Sequence, residues 1–165
     1  MYLLLIRHGD SENTKPGMTD NDRTLTLTGF DEIKSTARVI KSCGFQPDSI
    51  LVSPYVRAQE TAHSLTYMLD VSREIIETED DLVPSGRIDR LLKKLDDAFS
   101  EKECIALVGH QPFMGDLMSK LLLGNVSAEM PFSKGAIAVI EVEGSLTGDQ
   151  QKMILYITPS AAKKI

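Results

Sequence analysis

Apolar positions along the chain follow two alternating patterns. Unbroken apolar runs at Tyr2 to Ile6, Ser49 to Val52 and Cys104 to Val108 have strand length, and a run apolar at nearly every position predicts a strand covered on both faces. Between these runs the apolar residues recur every three or four positions. Phe30, Ile33, Ala37 and Ile40 predict a helix from Leu27 to Cys43, with Thr28 and Asp31 as its capping box and Gly44 as its stop. Ala58, Ala62, Leu65 and Leu69 mark a second helix, for which Ser53 is the expected hydroxyl cap and Pro54 the first helical residue. Ile88, Leu91, Leu92, Leu95 and Phe99 mark a third, preceded by a short extended piece around Ile75 and Ile76. Gly109-His110-Gln111-Pro112 turns the third strong strand into a fourth helix that runs to Leu123 and stops at Gly124. Ala136 to Val142 and Met153 to Thr158 close the chain as two strands, expected to form a hairpin through Gly144 and Gly148.

Strands alternating with helices imply an α/β fold: a three-layer α/β/α sandwich around a mostly parallel central sheet of about five to six strands. The 165 residues, 42% hydrophobic and 25% charged, suit a single domain spanning 1–165 with enough apolar material for a single core. Charge narrows the partners. With 18 Lys and Arg against 24 Asp and Glu the net charge is -6, which argues against nucleic acid, whose binding needs a cationic footprint. The opening apolar run is too short for a signal or membrane span, so no membrane association and a cytoplasmic location are expected. Cys43 and Cys104 stand far apart and away from metal-ligand spacing; both are expected as buried, reduced thiols, with no metal and no cofactor.

The chemistry gathers at the strand ends, where open α/β sheets bind their ligands. Ile6 leads into Arg7-His8-Gly9-Asp10, Val52 into Ser53-Pro54-Tyr55-Val56-Arg57, and Val108 into Gly109-His110. In a parallel sheet these ends meet on one rim, which then carries two imidazoles and two guanidiniums, or three with Arg23. Guanidinium presents a planar fork of donors that matches phosphate oxygens and keeps its charge. Imidazole is nucleophilic when neutral, and with an ordinary pKa of about 6.5 it is largely neutral at pH 7. A second imidazole, if protonated, adds donors for charge that moves onto phosphoryl oxygens. Gly9, lacking Cβ, lets the backbone pass close to a bound anion. The demand is large, since enzymes accelerate phosphate monoester hydrolysis by up to about 10²¹-fold.

Arg7-His8-Gly9 ending the first strand, Ser53-Pro54 with Arg57-Ala58-Gln59-Glu60-Thr61, and Gly109-His110 late in the chain resemble the histidine phosphatase superfamily. Within it the chain is most similar to the short phosphohistidine phosphatases of the SixA type, on Asp10, Arg23-Thr24-Leu25-Thr26, Leu82-Val83-Pro84-Ser85-Gly86 and its compact length. The resemblance implies a phosphoglycerate mutase-like fold and a metal-independent phosphatase. It implies His8 as nucleophile through a phosphohistidine intermediate, and Arg7, Arg57 and His110 around the phosphate, with Arg23 and Gly9 as further contacts. The implied substrate is phosphohistidine in a protein, such as a histidine-phosphotransfer protein.

Larger members carry a carboxylate acid that this chain does not match. Glu79, Asp80, Asp81 and Asp89 are the nearest candidates, and none sits in the family context. An alkoxide leaving from a sugar phosphate needs a proton more than an imidazole does, so the missing acid favours phosphohistidine. The alternatives are a sugar-phosphate phosphatase or mutase acting on a small phosphorylated metabolite, and a phosphoprotein-binding module without hydrolysis. Asp10 is expected either to meet the pocket arginines or His8, or to stand in water. His63, about 120° around the helix from Arg57, is expected outside the pocket. Arg87 and Arg90 are expected in solvent rather than as ligands, with contact to an incoming substrate at the rim as the alternative, and Met114 and Met118 are expected in the core. The sequence sets no oligomeric state.

Overall fold

The computed structural model describes residues 1–99, 101–126, 130–148 and 151–165. Six strands form one sheet: β1 (Tyr2–Arg7), β2 (Ser49–Val52), β3 (Ile76–Thr78), β4 (Cys104–Gly109), β5 (Ile137–Glu141) and β6 (Lys152–Ile157). Their order is β3-β2-β4-β1-β5-β6. The first four of these are mutually parallel, while β5 runs antiparallel to β1 and β6 antiparallel to β5. The mostly parallel sheet and the closing strand pair expected from the sequence are both present.

Five helices cover the sheet: α1 (Leu27–Ser42), α2 (Val56–Leu69), α3 (Ile88–Ala98), α4 (Phe113–Leu123) and α5 (Pro159–Ala162). The period-two geometry of a strand sorts its side chains onto the two faces. Leu3, Leu5, Ile105 and Leu107 pack with Leu91, Leu92 and Leu95 of α3 and with Met114, Leu117 and Leu121 of α4. Leu4, Ile6, Ala106 and Val108 pack on the other face with Ile33, Ala37 and Ile40 of α1 and with Ala58, Ala62 and Leu65 of α2. Burying each such Leu or Ile contributes about 2 kcal/mol relative to leaving it exposed. That is why β1 as far as Ile6, and β4, are apolar. Met114 and Met118 are buried, as expected.

Several local expectations change. Thr26, rather than Thr28, caps α1: its Oγ1 accepts a hydrogen bond from Gly29 N at 3.0 Å. Helix α2 begins at Val56 with Tyr55 as its N-cap, later along the chain than Ser53-Pro54 indicated. Phe30 is 40% exposed, because it leans over the outer edge of α1 toward α2. Cys43 is exposed at the frayed end of α1, whereas Cys104 is buried and its thiol is pushed up to about 12 by burial. No helix among the described residues is long and apolar enough to cross a membrane.

Candidate active site

Register brings the strand ends level. Arg7 lies beside Gly109 and Val52 beside Val108. The ladder then continues by one rung on each side: His8 N donates to Gly109 O at 3.1 Å and Ser53 N to Val108 O at 3.0 Å. The loop before β5 closes the other flank, where Gly135 N donates to the carbonyls of Arg7 and His8. His8, Ser53, Arg57 and His110 are all buried at this rim.

The His8 ring has a defined tautomer. Its Nδ1 lies 2.7 Å from Gly9 O, and a carbonyl only accepts, so Nδ1 carries the proton and Nε2 keeps its lone pair. Arg57 Nε donates to that lone pair at 3.2 Å. Burial, with the charges of Arg57 and Arg7 added, pushes the His8 pKa down to about 3. His110 stands 4.8 Å away, centroid to centroid, with Tyr55 4.7 Å on and tilted against it. Burial and the neighbouring His8 push its pKa down to about 2. Both shifts favour the neutral form of the two imidazoles.

Ser53 finds its use here. Its Oγ lies 2.8 Å from His110 Nε2 and accepts weakly from Tyr55 N at 3.4 Å, so its own hydrogen is available to Nε2. A hydroxyl that donates to Nε2 leaves the ring proton of His110 on Nδ1, whereas one that accepts from Nε2 leaves it on Nε2. Among the described residues three buried side-chain polar atoms lack a hydrogen bond: Arg7 Nε, Asp48 Oδ1 and His110 Nδ1. Two of the three, Arg7 Nε and His110 Nδ1, are at this rim, and Arg7 Nε is a donor whatever the His110 tautomer.

The remaining residues sort by contact. Arg7 Nη1 donates to Phe132 O at 2.6 Å. Arg57 Nη1 donates to Asp20 O at 2.5 Å and Nη2 to Asp20 Oδ2 at 2.9 Å. Arg23 joins through the same residue, with Nη1 2.8 Å from Asp20 Oδ1, while Nε and Nη2 go to Glu12 O and Ser11 Oγ. Asp10 meets neither His8 nor an arginine; it pairs with Lys134 at 2.6 Å and accepts from Thr26 Oγ1 at 2.9 Å. Gly9 makes its close backbone approach to Gly29, since a Cβ there would lie 2.6 Å from Gly29 O. Its N–H goes to Thr61 Oγ1 at 3.3 Å. His63 is exposed on the outer side of α2, outside the rim. Asp20 was not singled out from sequence; it lies in a polar loop and is read as functional only once Arg57 is seen against it.

Of the four candidate acids two are buried in ion pairs and two are exposed. Glu79 is buried and paired with Lys94 at 2.6 Å, and Asp81 is buried and paired with Arg90, which is therefore not merely solvated. Asp80 is exposed, and the Asp89 side chain is 90% exposed, 3.7 Å from Lys120. Among the described residues no three His, Cys, Asp or Glu side chains are gathered so as to hold a metal ion.

Acid should destabilise this fold through its two neutral histidines. Unfolded, each takes up a proton near about 6.5, whereas folded they do so only near about 3 and about 2. Between those values the unfolded state binds more protons, so stability falls as pH falls, by up to about 1.4 kcal/mol per pH unit for each histidine. Urea midpoints measured without phosphate should drop between about pH 6.5 and about pH 5, above the carboxylate range, and drop less in His110→Asn. A flat profile would show that the rings are not buried and neutral.

Fixed guanidiniums and unmet donors around a neutral, nucleophilic imidazole place this chain among the α/β/α phosphatases. Residues 3–83 match the family model of the histidine phosphatase superfamily (branch 1). A phosphohistidine phosphatase SixA homolog from Haemophilus influenzae is 30% identical over 132 residues, covering 73% of this chain and 77% of that one. The chain belongs to the histidine phosphatase superfamily. Phosphohistidine phosphatase SixA of Escherichia coli is 28% identical over 151 residues, 90% of this chain and 89% of that protein. A solved structure of the protein histidine phosphatase SixA complexed with tungstate superposes with a TM-score of 0.85 at 24% identity, over 97% of this chain and 98% of that one. The phosphoglycerate mutase-like α/β sandwich expected from the sequence is thus the fold observed.

Proposed function

We propose that this chain, as one domain spanning 1–165, hydrolyses phosphohistidine in a protein through a phosphohistidine intermediate on His8. The observation that carries the choice of substrate is the state of the buried carboxylates: Glu79 and Asp81 are both bound to cations. Asp20, the carboxylate that touches Arg57, is held below the usual carboxylate range by Arg23 first and Arg57 after burial has opposed them, so it is ionised and a poor acid. A site without a protonated acid suits a leaving group that departs unaided, as an imidazole does and an alkoxide does not. The SixA proteins among its relatives are named for that substrate.

In this reading His8 Nε2 attacks phosphorus in line as Arg57 Nε gives up its bond to that nitrogen. The new N–P bond forms while the N–P bond to the substrate ring breaks, and that ring, already protonated on its other nitrogen, leaves as neutral imidazole with the bonding electron pair. Arg7 Nε and, in its Nδ1–H tautomer, His110 Nδ1, both buried without a hydrogen-bond partner in the protein, donate to equatorial oxygens together with Arg57. The arriving dianion raises the His110 pKa, so the ring can hold a full positive charge when one is useful. Water then cleaves the phosphoenzyme, releasing inorganic phosphate and restoring neutral His8. Arg23 lies one residue further out, and Gly9 serves through its packing on Gly29. An exposed free thiol at Cys43 is in keeping with work in the cytoplasm, where thiols stay reduced.

The deciding experiment offers the purified protein a phosphohistidine-bearing protein and a panel of sugar phosphates in the presence of chelator. Phosphohistidine should be hydrolysed with kcat/KM at least about 10³-fold higher, a margin of about 4 kcal/mol at the transition state, with undiminished rates in chelator. Equal rates on an unactivated sugar phosphate would transfer the assignment to a small-molecule phosphatase.

A further inference from the structure

Before any substrate arrives, Arg57 already holds an anion. Its three nitrogens reach His8 Nε2, the Asp20 carbonyl and Asp20 Oδ2, and the other oxygen of the same carboxylate binds Arg23. One carboxylate thus bridges two guanidiniums, an oxygen to each, which is the pattern a phosphoryl group would make on the same fork. The Arg57 side chain is only 4% exposed and sits beside an imidazole whose neutral form is favoured, so its charge calls for compensation from within the protein, which Asp20 supplies.

The local sequence builds Asp20 into place. Thr19 N and Oγ1 both donate to Asp22 Oδ2, at 3.2 and 2.6 Å, closing a 3-10 turn over Asp20–Asp22. The turn directs the Asp20 carbonyl and carboxylate at Arg57 together, yet leaves the Asp20 side chain half exposed and able to swing away.

We propose that the Asp20 carboxylate is a built-in competitor for the phosphoryl group, occupying on Arg57 and Arg23 the positions that phosphoryl oxygens take and re-forming those contacts to expel inorganic phosphate. This rests on the phosphatase reading above. A dianion with three equatorial oxygens outcompetes a single carboxylate, so substrate still binds. Inorganic phosphate is a dianion too, and the returning carboxylate lowers its hold on the site. The same competition weakens substrate binding, so Asp20 acts as a positioning residue that sets affinity for substrate and product alike while taking no proton.

The test is Asp20→Asn, with Asp20→Ala beside it, read by titration with inorganic phosphate and by steady-state kinetics on a phosphohistidine-bearing protein. The backbone carbonyl contact to Arg57 survives in both variants; Asp20→Asn removes the charge and Asp20→Ala the whole carboxylate. Because the carboxylate is half exposed, the gain should be modest: Kd for phosphate and KM should each fall about fivefold, with kcat unchanged or lower through slower product release. Looser phosphate binding would mean that Asp20 merely props the guanidiniums. A lower kcat at unchanged KM and unchanged phosphate affinity would mean that it handles a proton; either result overturns the proposal. Failure of the underlying reading looks different: wild-type protein would bind phosphate, respond to Asp20→Asn as expected, and never become phosphorylated on His8.

Discussion

His8→Ala should retain its fold and its affinity for phosphate while losing turnover by on the order of 10⁴-fold or more, the scale seen when a covalent nucleophile is removed. The separation of binding from chemistry follows from the contacts. Arg7 and Arg57 are anchored by groups other than the His8 ring: Arg7 by Phe132 O, Arg57 by both polar groups of Asp20. Deleting the imidazole frees Arg57 Nε and removes a ring hydrogen bond to Gly9 O, but leaves the backbone rungs to Gly109 and Gly135 in place. Fold loss is therefore not the route to inactivity, and thermal unfolding of the variant should stay within a few degrees of wild type. Rapid quenching of wild-type protein during turnover should trap acid-labile, base-stable phosphate that is absent from His8→Ala. Turnover by the variant at more than about one per cent of the wild-type rate would remove His8 from the reaction, because groups acting only through binding and electrostatics cannot replace a missing nucleophile.

The site was legible in the sequence where it depends on strand ends. Apolar runs fix where β1, β2 and β4 stop, and in a parallel sheet three stops fix one rim, so His8, Arg57 and His110 meet without any knowledge of loops. The contacts of Asp20 depend on how a polar loop folds back across the sheet, which no periodicity encodes, and it emerges only in three dimensions. Ser53 shows a second limit. Ser-Pro is a good helix opening by local preference, but burial beside His110 gives the hydroxyl a ring nitrogen, and α2 starts at Val56 instead. Asp10 shows a third. Its neighbours in sequence are catalytic candidates, yet its side chain turns to Lys134, 124 positions away. Local pattern reads strands and helix faces well because burial dominates them; it reads polar side chains poorly because one partner across the fold outweighs their neighbours along the chain.

Gly29→Ala should unfold the protein at a distinctly lower temperature, even though the substitution is ordinarily favourable inside a helix. Gly29 lies in the first turn of α1, where alanine gains up to about 1 kcal/mol over glycine by helix preference alone. Here a Cβ would stand 2.1 Å from Asp10 O and 2.9 Å from Asp10 N, and both are backbone atoms that no rotamer change can move. The loop after β1 must then retreat, and it carries much with it. Asp10 O accepts from Thr26 N at 3.0 Å, Asp10 N donates to Glu32 Oε2 at 2.7 Å, and Gly9 packs its own backbone on Gly29. Forced separation of two backbone segments outweighs the helix gain, for a net loss of about 3 kcal/mol. For a chain of this size that corresponds to a fall in Tm of about 6 to 12 °C. Because Gly9 O also fixes the His8 tautomer, activity should fall as well, and more than the unfolded fraction alone accounts for. Differential scanning calorimetry of Gly29→Ala decides the point: an unchanged or higher Tm would mean that the loop yields freely and that the glycine pair does not hold His8 in register.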